Sequence, residues 1–131
     1  MSTARVLIVD DNEDFSRLLG RLIGRLGYEA TSLASGEAAL TYLAANVPDL
    51  MIPDVMMPKL DGLDVLAAVR ADARLKAMPV IMFSALADPA LRQRALAAGA
   101  TDWWLKAAVD FTAMGQRLAP YLRSAADHAQ A

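Results

Sequence analysis

Apolar residues along this chain fall into two patterns. Continuous runs at Val6-Leu7-Ile8-Val9, Leu50-Met51-Ile52 and Val80-Ile81-Met82-Phe83 are too short for helices and read as strands covered on both faces, as in a parallel sheet. Between them, Phe15, Leu18, Leu19, Leu22, Ile23 and Leu26 recur at helical spacing and define one stripe, with Gly27 as the residue that closes the helix. Tyr28 to Leu33 is more polar and predicts an edge strand. Ser35-Gly36-Glu37 opens a helix through Leu43, and Leu63, Val65, Leu66 and Val69 predict a third from Gly62. Asp88-Pro89, a capping side chain followed by proline, starts a fourth that ends at Gly99. Asp102 to Leu105 reads as a short fifth strand. Val109 to about Leu122 reads as a closing helix despite Gly115 and Pro120.

Strands alternating with helices in this way predict a doubly wound α/β sheet with right-handed crossovers. Without repeats or an internal linker, residues 1–124 are expected to form one domain and residues 125–131 a flexible C-terminal tail. In such sheets ligands bind beyond the carboxyl ends of the strands. The polar residues at those ends are Asp10, Asp11, Asp54, Ser84 and Lys106, so all five are expected to face one crevice.

Composition narrows the chemistry. A chain of 131 residues, 56% hydrophobic, can bury a core without disulfides or structural metals. A net charge of −2 with scattered arginines offers no footprint for nucleic acid. The absence of cysteine excludes a thiol nucleophile and a thiolate metal site. Only four apolar residues lie between Arg5 and Asp10, too few for a signal-peptide core or a membrane span, and the expected location is cytoplasmic.

Three carboxylates in one crevice repel unless a cation neutralises them, and an all-oxygen set without His or Cys favours Mg²⁺ over zinc. A lysine and a hydroxyl beside such a metal suit a phosphoryl group, and a carboxylate there can act as nucleophile to form an acyl phosphate. Asp54, alone at its strand end, is the candidate for that role. Taken singly, Asp10 and Asp11 are ordinary acids at a helix N-terminus, Lys106 a surface lysine and Ser84 a turn residue. Their meaning comes from the set.

Over about Arg5 to Leu122, the chain resembles the response regulator receiver domain of two-component signalling. The resemblance is carried by Val6-Leu7-Ile8-Val9-Asp10-Asp11-Asn12, by Pro48-Asp49 through Asp54-Val55-Met56-Met57-Pro58 with Asp61-Gly62, by Ser84-Ala85, and by Gly99-Ala100 through Lys106. It implies a flavodoxin-like (βα)5 sandwich with a five-stranded parallel sheet in the order 2-1-3-4-5. It makes Asp54 the phosphoacceptor, Asp11 a direct Mg²⁺ ligand, Asp10 a ligand largely through water, and the Met56 carbonyl the remaining protein ligand. Ser84 becomes the switch hydroxyl, Ala85 the small residue leaving it room, Lys106 the cationic partner and Trp103 the switch aromatic. The implied partners are a histidine kinase or histidine phosphotransfer protein, and a downstream protein on the surface of the fourth helix, fifth strand and fifth helix. The chain itself is expected to touch neither nucleic acid nor membrane. It would be a switch rather than a turnover enzyme, either single-domain or part of a longer protein.

Two residues depart from the family's pattern. Ala107 stands where the family has a proline in a cis peptide. Because cis costs a non-proline bond about 2.5–4 kcal/mol, a trans bond and a less well placed Lys106 are expected. Pro53, directly before the acceptor, cannot donate to a strand ladder. It is placed at the strand's end, where the loss matters less, with a local distortion beside Asp54. Met56 and Leu86, two residues after Asp54 and Ser84, are apolar and predict slow loss of phosphate. At least one of Met56 and Met57 is expected as apolar filler, and one of Trp103 and Trp104 in the core. Arg17, Arg21 and Arg25 read as a solvated helix face, and His128 as inert. Rival functions are a degenerate receiver acting as a phosphorylation-independent interaction module, a phosphatase-like hydrolase with Asp54 as nucleophile, and a flavodoxin-like cofactor binder. The hydrolase is disfavoured by the apolar Met56, where that family has a second acid. The cofactor binder lacks a Gly- or Ser/Thr-rich loop after the first strand.

Overall fold

The computed structural model describes residues 3–130, and the side chains of residues 3–122. Five parallel strands, β1 (Arg5–Val9), β2 (Glu29–Leu33), β3 (Leu50–Pro53), β4 (Ile81–Ser84) and β5 (Asp102–Leu105), alternate with α1 (Glu13–Arg25), α2 (Gly36–Leu43), α3 (Gly62–Ala71), α4 (Pro89–Ala97) and α5 (Met114–Gln130). The helices start where side chains satisfy free backbone N–H groups. Asn12 accepts from Phe15 N, Ser35 from Ala38 N, and Asp88 from Ala90 N and Leu91 N. Asp61 and Asp64 form a reciprocal capping box at α3. Gly27, at φ 95°, supplies the left-handed residue that ends α1.

Alternation along the strands divides the core into two layers. Leu7, Val9, Met51, Val80 and Met82 pack with Ala39, Leu43, Val65, Leu66 and Val69 of α2 and α3. On the other face, Val6, Ile8, Ile52, Ile81 and Phe83 pack with Leu19 and Ile23 of α1 and Met114, Leu118 and Leu122 of α5. The stripe predicted for α1 is wider than the buried face. Leu18 and Leu26 are exposed, Leu18 lying with Leu22 beside Phe111. The second strand is an edge strand, as its polarity predicts.

The sheet order 2-1-3-4-5 holds, but the sheet is not one continuous ladder. Regular pairing joins β2-β1-β3 and, separately, β4-β5. The two parts meet only at bridges between Met51 and Val80 and between Asp54 and Phe83. Met51 N donates to Pro79 O and Val55 N to Phe83 O, so the regular alternation of a parallel ladder calls for a bond from residue 53 to Ile81 O. Pro53 has no N–H to give. Pro53 is the last residue of β3, at the strand's end as expected, but bonds flank it on both sides, so the loss is not minor: its missing donor opens a seam in the middle of the sheet.

The final helix also departs from expectation, starting at Met114 rather than Val109. A 3₁₀ turn occupies Lys106–Ala108. The Asp110 carboxylate then accepts from Thr112 N, and Ala113 N donates to Asp110 O. This local turn competes with helix and delays its start. The backbone of α5 is helical through Gln130. The side chains from residue 123 onward, His128 and the predicted tail among them, lie outside the described residues.

Candidate functional site

The carboxyl ends of β1 and β3 lie side by side, because Val9 pairs with Pro53 and Asp54 N donates to Val9 O at 2.7 Å. That register brings Asp10, Asp11 and Asp54 together: one carboxylate oxygen from each lies within 4.8 Å of the others. Asp10 and Asp54 are buried and Asp11 is exposed. Gly62 shapes the floor. Its N–H donates to Val55 O at 3.0 Å, and a Cβ there would stand 2.4 Å from Asp54 O. Only glycine lets α3 approach the end of β3 so closely.

Lys106 reaches into the acidic cluster from the end of β5. Its Nζ lies 2.7 Å from Asp10 Oδ2 and 3.4 Å from Asp54 Oδ2. The bond to Ala107 is trans, as expected, since the described residues contain no cis peptide. Where a less well placed Lys106 was expected, its ammonium nonetheless reaches both acids. Asp54 Oδ1 accepts from Met56 N at 3.3 Å. Burial, and next the charge of Asp10, push the Asp54 carboxyl up from 3.8 to about 6, while Lys106 and the Met56 N–H oppose the shift. A site whose acids are held this uncomfortably fits a hard divalent cation, and its all-oxygen donors are the right type for Mg²⁺.

Ser84 is fully buried at the end of β4, and its hydroxyl is engaged by the backbone of Leu86. The hydroxyl donates to Leu86 O at 2.9 Å and accepts from Leu86 N at 3.0 Å. Trp104 is the core tryptophan, its Nε1 donating to Asp102. Trp103 is half-buried against the α2–α4 layer and lines a surface groove with Pro89, Arg92, Leu105 and Arg117. Met57 is buried filler, whereas the Met56 and Leu86 side chains are about half exposed, at 53% and 51%.

One neighbour of the site was not singled out by the sequence. The Phe15 ring lies 4.6 Å from Lys106 Nζ. Its place four residues after Asp11 on the apolar stripe of α1 gives it the signature of an ordinary core residue.

The sequence profile of the response regulator receiver domain matches residues 6–118. The chain belongs to this family. A probable transcriptional regulator ycf27 of Cyanophora paradoxa is 40% identical over 102 residues, which make up 78% of this chain and 41% of that protein. The receiver chain thus spans about two fifths of that relative's length. Among solved structures, a putative response regulator from Chloroflexus aurantiacus superposes with a TM-score of 0.86 at 31% identity, covering 93% of this chain and 99% of that one. The chemotaxis response regulator CheY4 of Vibrio cholerae gives 0.84 at 30% identity, covering 92% of this chain and all of its own. Receiver domains act in two-component signalling, interacting with histidine kinases and downstream effectors. No helix among the described residues is long and apolar enough to cross a membrane.

Proposed function

We propose that this receiver takes a phosphoryl group onto Asp54 from the phosphohistidine of a histidine kinase or histidine phosphotransfer protein. The observation that supports this most is the convergence of Lys106 on Asp54 and Asp10 inside an otherwise acidic, buried crevice. An Asp54 oxygen attacks phosphorus as the P–N bond to the donor breaks. The imidazole nitrogen keeps the bonding pair and takes up a proton. Asp10, Asp11, Asp54 and the Met56 carbonyl would hold Mg²⁺, which offsets the charge of the incoming group. The Lys106 ammonium, 3.4 Å from Asp54 Oδ2, would offset the same charge.

The response follows from the Ser84 geometry. A phosphoryl group on Asp54 adds acceptors that compete for the Ser84 hydroxyl, now held by Leu86. Drawing it over loosens the turn ahead of α4 and alters the surface of α4, β5 and α5, Trp103 included, on which a downstream protein would bind. The chain is then a switch whose covalent chemistry is limited to its own acceptor and to slow loss of the phosphoryl group, in a cytoplasmic setting.

The phosphorylation-independent interaction module is a second reading, favoured by one observation: the seam at Pro53, directly beside the acceptor. Trp fluorescence during addition of acetyl phosphate with Mg²⁺ separates the two. The phosphoacceptor reading expects a change in the parent that is absent in Asp54→Ala. A parent that becomes phosphorylated with no change at Trp103 or in partner binding would favour the interaction module.

A further inference from the structure

Lys106 is held unusually for a side chain with so much freedom. The backbone that follows it does little, since Ala107 and Ala108 are exposed and the 3₁₀ turn has no side-chain cap. The ammonium is instead fixed by three contacts, to Asp10, to Asp54 and to the face of Phe15. The first two are with acids that a bound cation would neutralise, so their pull on Lys106 weakens as the site becomes competent. The contact with Phe15 does not weaken in that way. An aromatic face attracts a cation through its quadrupole without offering a carboxylate acceptor that would compete with an incoming group for the ammonium's N–H donors.

The ring itself is tightly placed. Phe15 N donates to the Asn12 side chain that caps α1. Its ring lies 5.6 Å from that of Phe83, which in turn lies 5.3 Å from Trp104. Phe83 and Trp104 are buried in β4 and β5, on the same side of the seam as Lys106. Phe15 therefore ties the first turn of α1, which follows Asp10 and Asp11, to the strands that carry Lys106 and Ser84.

We infer that Phe15 is a positioning residue for Lys106, holding the ammonium over Asp54 through its ring face in place of the backbone constraint that Ala107 does not provide. The role in transfer rests on the function proposed above; the contact itself does not.

Phe15→Leu keeps apolar bulk and removes the ring face, while Phe15→Tyr keeps both. In NMR spectra of the folded, metal-free protein, the Lys106 Hε protons are expected upfield in the parent and in Phe15→Tyr, and at ordinary positions in Phe15→Leu. With saturating Mg²⁺, Phe15→Leu is expected to lower the limiting rate of Asp54 phosphorylation by acetyl phosphate about three- to tenfold, and Phe15→Tyr to stay within about twofold of the parent. In a Lys106→Met background, Phe15→Leu should cause no further loss. Equal losses in both backgrounds, or an unshifted Lys106 in the parent, would overturn the inference. If the parent takes up no phosphoryl group while Lys106 is shifted, the proposed function fails and the positioning role in transfer fails with it, the contact alone standing.

Discussion

The two parts of the sheet are joined differently and carry different chemistry. β1 and β3 pair without interruption from Val6–Leu50 to Val9–Pro53, and their ends supply all three acids. β4 and β5 pair just as regularly from Ile81–Asp102 to Ser84–Leu105, and supply Ser84 and Lys106. Between β3 and β4 there are only two bridges, one on each side of Pro53. The acidic platform thus stands on a continuous ladder. The residues that would respond to a phosphoryl group hang from it through a weakened ladder, the packing of Phe83 and the reach of Lys106. An equilibrium between two positions of β4 and β5 costs less across such a seam than within an unbroken sheet.

If core packing substitutes for the missing ladder bond, Phe83 should be the costliest residue to truncate. It is buried, packs against Trp104 on its own side of the seam and meets Phe15 of α1, which follows β1 on the other. Phe83→Ala is expected to destabilise the fold by about 3–5 kcal/mol in denaturant unfolding. A loss below about 1 kcal/mol, small for a buried aromatic, would mean that the seam does not depend on it.

The acidic platform should betray its strain through pH. Asp54 in the folded protein titrates near 6, above the ordinary 3.8, so the fold binds this proton more tightly than the unfolded chain does. Its contribution to stability is fully present below about 4 and lost as pH rises through about 6, on the order of 1–3 kcal/mol. Melting temperatures without metal should fall across that window in the parent. Asp54→Asn should flatten the slope, and added Mg²⁺ should reduce it. A parent whose stability rises from pH 4 to pH 6 in the absence of metal would contradict this assignment.

The seam itself is sharpened by Pro53→Leu, which restores a donor to Ile81 O. Hydrogen exchange of Val55 and Phe83 amides should slow relative to those between β1 and β3, with a stability change of about 0.5–1.5 kcal/mol for one recovered bond, reduced by the lost rigidity of proline in the unfolded chain. Faster uptake of phosphate by this variant would show that the seam limits the acceptor's pose. Unchanged exchange would show that the ladder is broken for another reason. The smallest effect concerns phosphate loss. Met56 and Leu86 offer a water no hydrogen bond, so a phosphorylated parent should persist for minutes or longer, and Met56→Glu should alter that lifetime. A half-life of seconds in the parent would sink the argument.

Much of the fold can be read along the chain because its buried strands are continuous apolar runs, each ending on a chemical group: Val9 before Asp10, Pro53 before Asp54, Phe83 before Ser84, Leu105 before Lys106. Alternating order then sends those ends to one edge. Features set by contacts distant in sequence cannot be read that way. The consequence of Pro53 depends on the register of β3 against β4, which no local pattern encodes. Phe15 is indistinguishable from its neighbours on the α1 stripe until Lys106 is seen beneath it. The late start of α5 turns on whether Asp110 closes a turn or begins a helix, two outcomes close in local preference. The engagement of Ser84 by Leu86 likewise appears only in three dimensions.

Intact mass after incubation with acetyl phosphate and Mg²⁺ tests the central claim most directly. The parent is predicted to gain one phosphoryl group, and Asp54→Ala none. A parent that gains nothing, or a gain retained in Asp54→Ala, would contradict the account.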